Sequence, residues 1–311
     1  MTKFGRAIAG ALIAGLLGTP RAWAQDENFV PPDAKTMNAV NESFSMGSYA
    51  QNRAMGGAAA AMVADASATL VNPAGLSQVQ RYSIGLLYAK PDNGNVVGAS
   101  IVDSQTSPLA MGINYRQERL DKNAANGQAV WRRQQVGIGL SEFYGGKVHA
   151  GFGWNYVRED FGLGVSPTTQ EDFRNFVLGA VFPVNEFFRI ATVSELLPDG
   201  DVDLAKSQTG LAVRVKDVFA LALDGIWRWE DSSGENWTVA VGTEVMALGF
   251  IGLRGGWRHN LKYGNTFWSG GAGFFMPKED PKAHIAYAFT SEPSPTGRQN
   301  RHTISMEILA F

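Results

Sequence analysis

The chain has 311 residues, 45% hydrophobic and 18% charged, with 27 basic and 29 acidic side chains and no cysteine. Three of the cations (Lys3, Arg6, Arg21) and none of the acids fall in the first 24 residues, which leaves 24 cations against 29 acids, a net charge of about −5. A mild acidic excess argues against nucleic acid as a partner, and the lack of cysteine excludes a disulfide framework and any thiolate metal centre.

Residues 1–24 read as a secretory signal peptide. Lys3 and Arg6 precede an apolar run over 7–18, and Ala22-Trp23-Ala24 gives a small-residue cleavage site before Gln25. The run is too short to span a bilayer, and no cysteine follows it to carry a lipid. Residues 25–81 come next and contain no strand-like segment. Residues 58–68 predict a short helix of strong helix formers. Asn72-Pro73-Ala74-Gly75 then closes it, since proline cannot continue a helix and glycine accepts the turn.

From Tyr82 to Phe311 segments of about ten residues alternate large apolar with small or polar side chains. In one of them Phe219, Leu221, Leu223, Trp227 and Trp229 oppose Ala220, Ala222, Asp224, Arg228 and Glu230. No run after residue 24 reaches the roughly 18 apolar residues of a membrane helix, so a membrane form must be a barrel. A soluble sandwich shares the same periodicity, and three features separate the two. Tight turns at 144–147, 183–186, 216–218 and 247–249 alternate with longer polar links at 121–128, 163–173, 197–206, 231–235 and 292–300. Trp131, Trp227, Trp229, Trp237, Trp257 and Trp268 gather at the long-link ends, while Phe143, Tyr144, Phe182, Phe187, Phe188, Phe219 and Phe250 gather at the other, as two interfacial belts would. The chain also finishes on an aromatic residue within an alternating strand, although Ile304, Met306, Ile308 and Ala310 form its apolar face and Phe311 falls out of phase with them.

The expected fold is therefore all-β: a transmembrane antiparallel barrel of about fourteen strands over residues 82–311. Its strands begin near Tyr82, Val96, Leu109, Val130, Val148, Asn175, Phe187, Ser207, Val218, Asn236, Phe250, Thr266, Ala283 and Arg301. It would sit in an outer membrane of the Gram-negative type, bounded by lipid, with both termini periplasmic. Small lumen-facing residues such as Gly112, Gly139, Gly151, Gly242 and Gly256 match the small residues of 25–81, which suggests a plug inside the barrel.

The stretch 55–77, MGGAAAAMVADASATLVNPAGLS, resembles the amino-terminal motif of the FadL-like outer-membrane transporters of long-chain fatty acids and other hydrophobic compounds. The related PorV and PorQ proteins of type IX secretion share it. The resemblance covers about one tenth of the chain and implies a hatch within a fourteen-stranded barrel. The matching positions are Gly56, Gly57, Ala58, Asp65, Asn72, Pro73, Ala74, Gly75 and Leu76, with Arg53 just ahead of them. Ala64 stands where members often carry a second acid, and the links are shorter than the substrate-catching loops of the larger transporters. The residues alone also permit a purely structural role, in which Asp65 and Asn72 satisfy backbone groups at a cap and turn.

Parity places Arg116, Glu118, Arg214, Lys216, Asp224, Arg228, Glu244, Arg254, Arg258 and Glu307 in the lumen. Neither sign dominates, which favours a paired scaffold over a path for polar solutes. Three functions remain open: passive uptake of a small hydrophobic molecule, a PorV-like barrel that anchors or receives an envelope protein, and a lipid hydrolase built on the outward Ser291 and His302. No third orienting group stands near that last pair, so an enzyme is not expected, and neither is a cofactor. His149, His259 and His284 are too scattered for a metal site.

Overall fold

The computed structural model describes residues 39, 42–43, 45–47 and 49–310, apart from 93, 125–126, 164–165, 197–205, 217, 229–235, 277–282 and 295–296. The expected leader, Trp229, Glu230, Phe311 and most of the links 197–206 and 231–235 lie outside the described residues. The strands are β1 (Tyr82–Pro91), β2 (Gly94–Asp103), β3 (Ala110–Ala124), β4 (Gly127–Tyr144), β5 (Val148–Leu163), β6 (Ser166–Pro183) and β7 (Phe188–Leu196). The second half follows with β8 (Lys206–Val215), β9 (Phe219–Arg228), β10 (Asn236–Ala247), β11 (Ile251–Asn260), β12 (Thr266–Phe275), β13 (Ala283–Ser294) and β14 (Gly297–Ala310).

They form one closed antiparallel barrel in which each strand pairs with its sequence neighbours and β1 closes on β14, from Tyr82↔Ala310 to Pro91↔Arg301. The alternation is inside-out relative to a soluble core. On β9 the apolar Phe219, Leu221 and Leu223 are exposed, while Ala220, Ala222, Asp224 and Arg228 are buried. A sandwich would bury the first set and hydrate the second; a lipid-facing wall requires the reverse. Exposed Ile84, Leu86, Tyr88, Ile101, Leu178, Leu253, Ile285 and Ile304 continue the apolar band around the exterior.

Four of the sequence expectations need revision. Residues 121–128, 163–173 and 292–300 are mostly not loops, because β3 to β6 run 15 to 18 residues and β13 and β14 extend to Ser294 and Gly297. Polar side chains hide such strand ends from a hydrophobicity pattern, and β6 therefore starts nine residues before the expected Asn175. Trp131 is buried and faces inward beneath Arg133, 4.9 Å from its ring, so it belongs to no exterior belt. Trp227, Trp237, Trp257 and Trp268 do line up on the outside of β9 to β12, in pairs 6.3 and 6.4 Å apart. Arg214 and Lys216 are exposed at the rim that carries the short turns, where the barrel opens, instead of joining a buried network.

The expected helix over 58–68 is the fourth. Residues 58–67 are turns and irregular chain, and the helices flank them: α1 (Ala50–Ala54), α2 (Ala68–Val71) and a 3-10 turn (Pro73–Gln78). Propensity lost to two local causes. Gly56 and Gly57 adopt left-handed φ of +66° and +77° and break the chain after α1. The N–H groups of Ala59 and Ala60 are then taken by Asp224 of β9, at 2.9 and 3.0 Å, leaving no need for an intrahelical partner.

Candidate functional site

Residues 42–78 pack against inward-facing residues of the wall, and glycine sets how closely they approach. A Cβ on Gly56 would stand 2.8 Å from the carbonyl oxygen of Trp257, and one on Gly256 would strike the Gly56 amide. Gly151 lies against Pro73 and Ala74, Gly242 against Met55, Gly112 against Thr69, and Gly139 against Leu76. Ala60, Ala61 and Ala74 are fully buried among Val177, Val181, Val193 and Ala212, while Tyr49, Val63, Ala66 and Leu76 pack on Leu87, Val96 and Val102.

The motif residues act mostly on the chain itself. Asn72 caps the 3-10 turn, accepting from the Ala74 amide at 3.1 Å and donating to the Ala60 carbonyl at 2.9 Å. Asp65 accepts from the Ser67 amide at 2.8 Å. Pro73 opens the turn, and Gly75 is wedged against the Val63 carbonyl, where a side chain has no room. Leu76 fills space beneath Gly112 and Gly139.

Charged groups make the remaining ties. Arg53 donates to the Ser43 and Gly47 carbonyls at 2.9 and 3.2 Å and pairs with Glu292. Glu292 also meets Arg301 at 3.2 Å; Arg301 meets Glu118 at 2.8 Å, and Glu118 meets Arg116 at 3.9 Å. Glu42 pairs with both Arg228 and Arg258 and accepts from Thr238 at 2.9 Å. Glu307 accepts from the Ala66 amide at 2.9 Å and lies 3.7 Å from Arg81, while Glu244 takes Arg254 Nε at 2.5 Å. Burial lowers the Arg53 guanidinium to about 10 and raises the Tyr49 phenol above its ordinary range. Seven of the expected lumen charges thus sit in this network, together with Asp224, which Gln208 also holds at 2.6 Å. Glu42, Ser43, Glu292 and Arg301 were not anticipated. Glu292 and Arg301 fell in or beside a segment read as a loop, and Glu42 lies where the sequence has no period at all.

Two cavities flank residues 42–78. One, of about 70 Å³, opens toward the long-link end between Thr69, Leu70 and Pro73 and the wall residues Arg116, Arg133, Val157 and Val177. The other, of about 230 Å³, opens toward the end carrying the termini, beside Met55, Met62 and Asp65. Registers between neighbouring strands run continuously where the pairs overlap, apart from one shift at Phe161/Gly162, while residues 166–175 of β6 extend past its pairing with β7.

Solved structures share this architecture. CymD, a monoaromatic hydrocarbon channel, superposes with a TM-score of 0.65 at 11% identity, covering 85% of this chain and 97% of its own. The fold is that of the FadL-type channels. The Ralstonia pickettii toluene transporter TbuX matches with a TM-score of 0.65 at 13% identity, and a Pseudomonas aeruginosa FadL homologue with 0.63 at 11%, each covering 85% of this chain and 98% of its own. No protein-family model and no curated protein matches the sequence.

Ser291 and His302 are not brought together. Ser291 accepts from Arg298 at 2.8 Å, and His302 hydrogen-bonds Tyr287 at 2.7 Å, each across the exposed face of β13 and β14. No cluster of metal-ligating side chains occurs among the described residues.

Proposed function

We propose that the protein is an outer-membrane barrel that passes small hydrophobic molecules without an energy source, with residues 42–78 as its hatch. The reading is carried by one observation: this segment separates two cavities, one toward each end of the barrel. The FadL-type fold and the exposed apolar band support the same location and activity. Cargo would leave at the end that holds the termini, where the larger cavity opens, and the hatch must shift because 70 Å³ holds only a few waters.

A disulfide lock tests this, in a chain with no native cysteine. A Cβ on Gly139 would lie 3.7 Å from that of Pro73, the spacing a disulfide requires. In proteoliposomes, oxidised Pro73→Cys/Gly139→Cys should lose uptake of a toluene-like probe and regain it on reduction, while Pro73→Cys alone keeps it. Equal uptake in oxidised and reduced protein would end the hatch reading. The second function, a barrel that anchors an envelope protein, gains support from the small cavities and the many ion pairs holding the segment. It expects no uptake in any of these proteins and co-purification of a partner that survives the lock.

A further inference from the structure

Where the lipid-facing band ends at the rim away from the termini, the exterior differs from one side of the barrel to the other. On β9 to β12 it ends in Trp227, Trp237, Trp257 and Trp268, and the outward faces of these strands carry no Lys or Arg among the described residues. On the opposite side it ends in cations. Lys90 follows Leu86 and Tyr88 on β1, Arg119 follows Ile113 and Tyr115 on β3, and Arg158 follows Trp154 and Tyr156 on β5. Arg132 on β4 and Arg174 on β6 complete the arc, and Arg298 extends it on β14. All six share the outward parity of the apolar band.

The arc carries a surplus of positive charge. Among the described residues only Asp92, Asp160 and Asp172 lie along it, and each is already engaged: by the Asn300 amide at 2.8 Å, by Arg158 at 3.3 Å and by Gln170 at 3.2 Å. Lys90 and Arg298 are exposed and reach uncharged oxygens, the Gly94 carbonyl at 2.9 Å and the Ser291 hydroxyl at 2.8 Å. Arg119 and Arg132 are register partners across β3 and β4, and like charges directly opposite destabilise a sheet unless an anion lies between them. We propose that this arc binds the phosphate groups of an acylated, phosphorylated glycolipid in the outer leaflet, with its acyl chains on the apolar band beneath. Cations set directly above an apolar band select a lipid, because a free phosphate gains nothing from the band and a hydrocarbon gains nothing from the arc. The proposal rests on the outer-membrane placement, with the long-link end outward, and not on uptake.

Diphosphoryl lipid A is the probe, titrated into the full-length barrel in neutral detergent at low ionic strength, where screening is weak, and read by native mass spectrometry. Each cation at an anionic lipid surface strengthens association about fivefold. Saturable binding is therefore expected, about tenfold or more weaker in Arg119→Gln/Arg132→Gln. Arg214→Gln/Lys216→Gln removes the same charge from the opposite rim and should keep the wild-type affinity. Lipid A stripped of both phosphates should bind the wild type about tenfold or more weaker. Equal affinity in wild type and Arg119→Gln/Arg132→Gln, an equal loss in the opposite-rim variant, or undiminished binding of the dephosphorylated lipid each overturns the proposal. Heat-modifiable migration verifies that each variant is folded, and Lys90→Gln/Arg298→Gln, at two exposed positions, decides in its place if Arg119→Gln/Arg132→Gln is not. Lipid binding and probe uptake are measured separately, so either reading can fail while the other stands.

Discussion

Glu42→Ala isolates the contribution of the ion pairs to holding residues 42–78 in the barrel. Glu42 and Arg258 are fully buried, and Arg228 nearly so, with the single carboxylate facing both guanidinium groups. Removing one partner of a buried pair costs about 3–5 kcal/mol because the other charge stays buried and uncompensated. The lost Thr238 bond adds about 1 kcal/mol. Even about 3 kcal/mol raises the undocked population about a hundredfold. Arg53 is the one Lys or Arg between residues 36 and 80, so trypsin cleavage after it reports that population directly. When reclosing is fast, the cleavage rate follows the open fraction and should rise about a hundredfold. Glu42→Gln, which keeps an acceptor, should rise less, and Glu42→Leu/Arg258→Leu should recover part of the loss by removing one stranded charge. The barrel itself should remain heat-modifiable throughout. Unchanged cleavage in Glu42→Ala, or loss of the whole barrel together with the segment, would refute the idea that these pairs hold a separable element.

Asp224→Asn weakens the acceptor for the Ala59 and Ala60 amides and should cost about 1–3 kcal/mol, read as faster cleavage after Arg53. Ala60→Trp places a large side chain in a fully buried position and should expel the segment, giving cleavage close to that of an exposed tail while the barrel still inserts. Pro73→Ala should loosen the turn by only about 0.5–1 kcal/mol. Val241→Arg, on the lipid face, should destabilise the barrel in vesicles by about 2–4 kcal/mol on denaturant titration. Gly242→Arg, one residue on, strikes Met55 and should instead expose Arg53 to trypsin without that loss of barrel stability. Equal barrel loss in the two variants would mean the faces are misassigned.

The barrel was legible because period-two alternation leaves a mark in every strand whose exterior meets lipid. Phe219, Leu221 and Leu223 state their face by composition alone. Where β4, β5 and β6 continue past the apolar band, Gln134, Arg158 and Gln170 face outward and alternation between polar residues carries no contrast. The strands there read as loops for that reason. The amino-terminal segment was legible in its end points and not in its interior. Asn72 and Pro73 cap and open a turn by local rules, which sequence exposes. The irregular course of residues 58–67 depends on Asp224, more than 150 residues away, and no local propensity encodes an acceptor supplied by the wall. Glu42 was invisible for the same reason, since its role exists only once β9 and β11 bring Arg228 and Arg258 to it.

The segment is held unevenly, and this bears on how a hatch would move. Toward β9, β11, β13 and β14 it is fastened by Asp224, Arg228, Arg258, Glu292 and Glu307, through ion pairs and charge-assisted hydrogen bonds that are costly to break. Toward β4 to β7 the contacts are mostly Ala60, Ala61, Ala74 and Leu76 against valine, alanine and glycine, joined by hydrogen bonds from Ser141 to the Ala74 carbonyl at 3.2 Å, between Ser77 and His149 at 2.9 Å and from Arg189 to Gln78 at 2.7 Å. Small side chains bury little area, and at about 25 cal/mol per Å² each contact on this flank contributes little. The cavity at the long-link end lies on the same flank, where Leu70, Pro73, Val157 and Val177 share its lining with Arg116, Arg133, Gln135 and Asn155. Displacement is therefore easiest on the flank held by small side chains, with the ion-paired flank serving as the fixed side. The Pro73/Gly139 lock sits on that flank and joins the segment to β4 there, so it tests whether displacement on this side is what uptake needs.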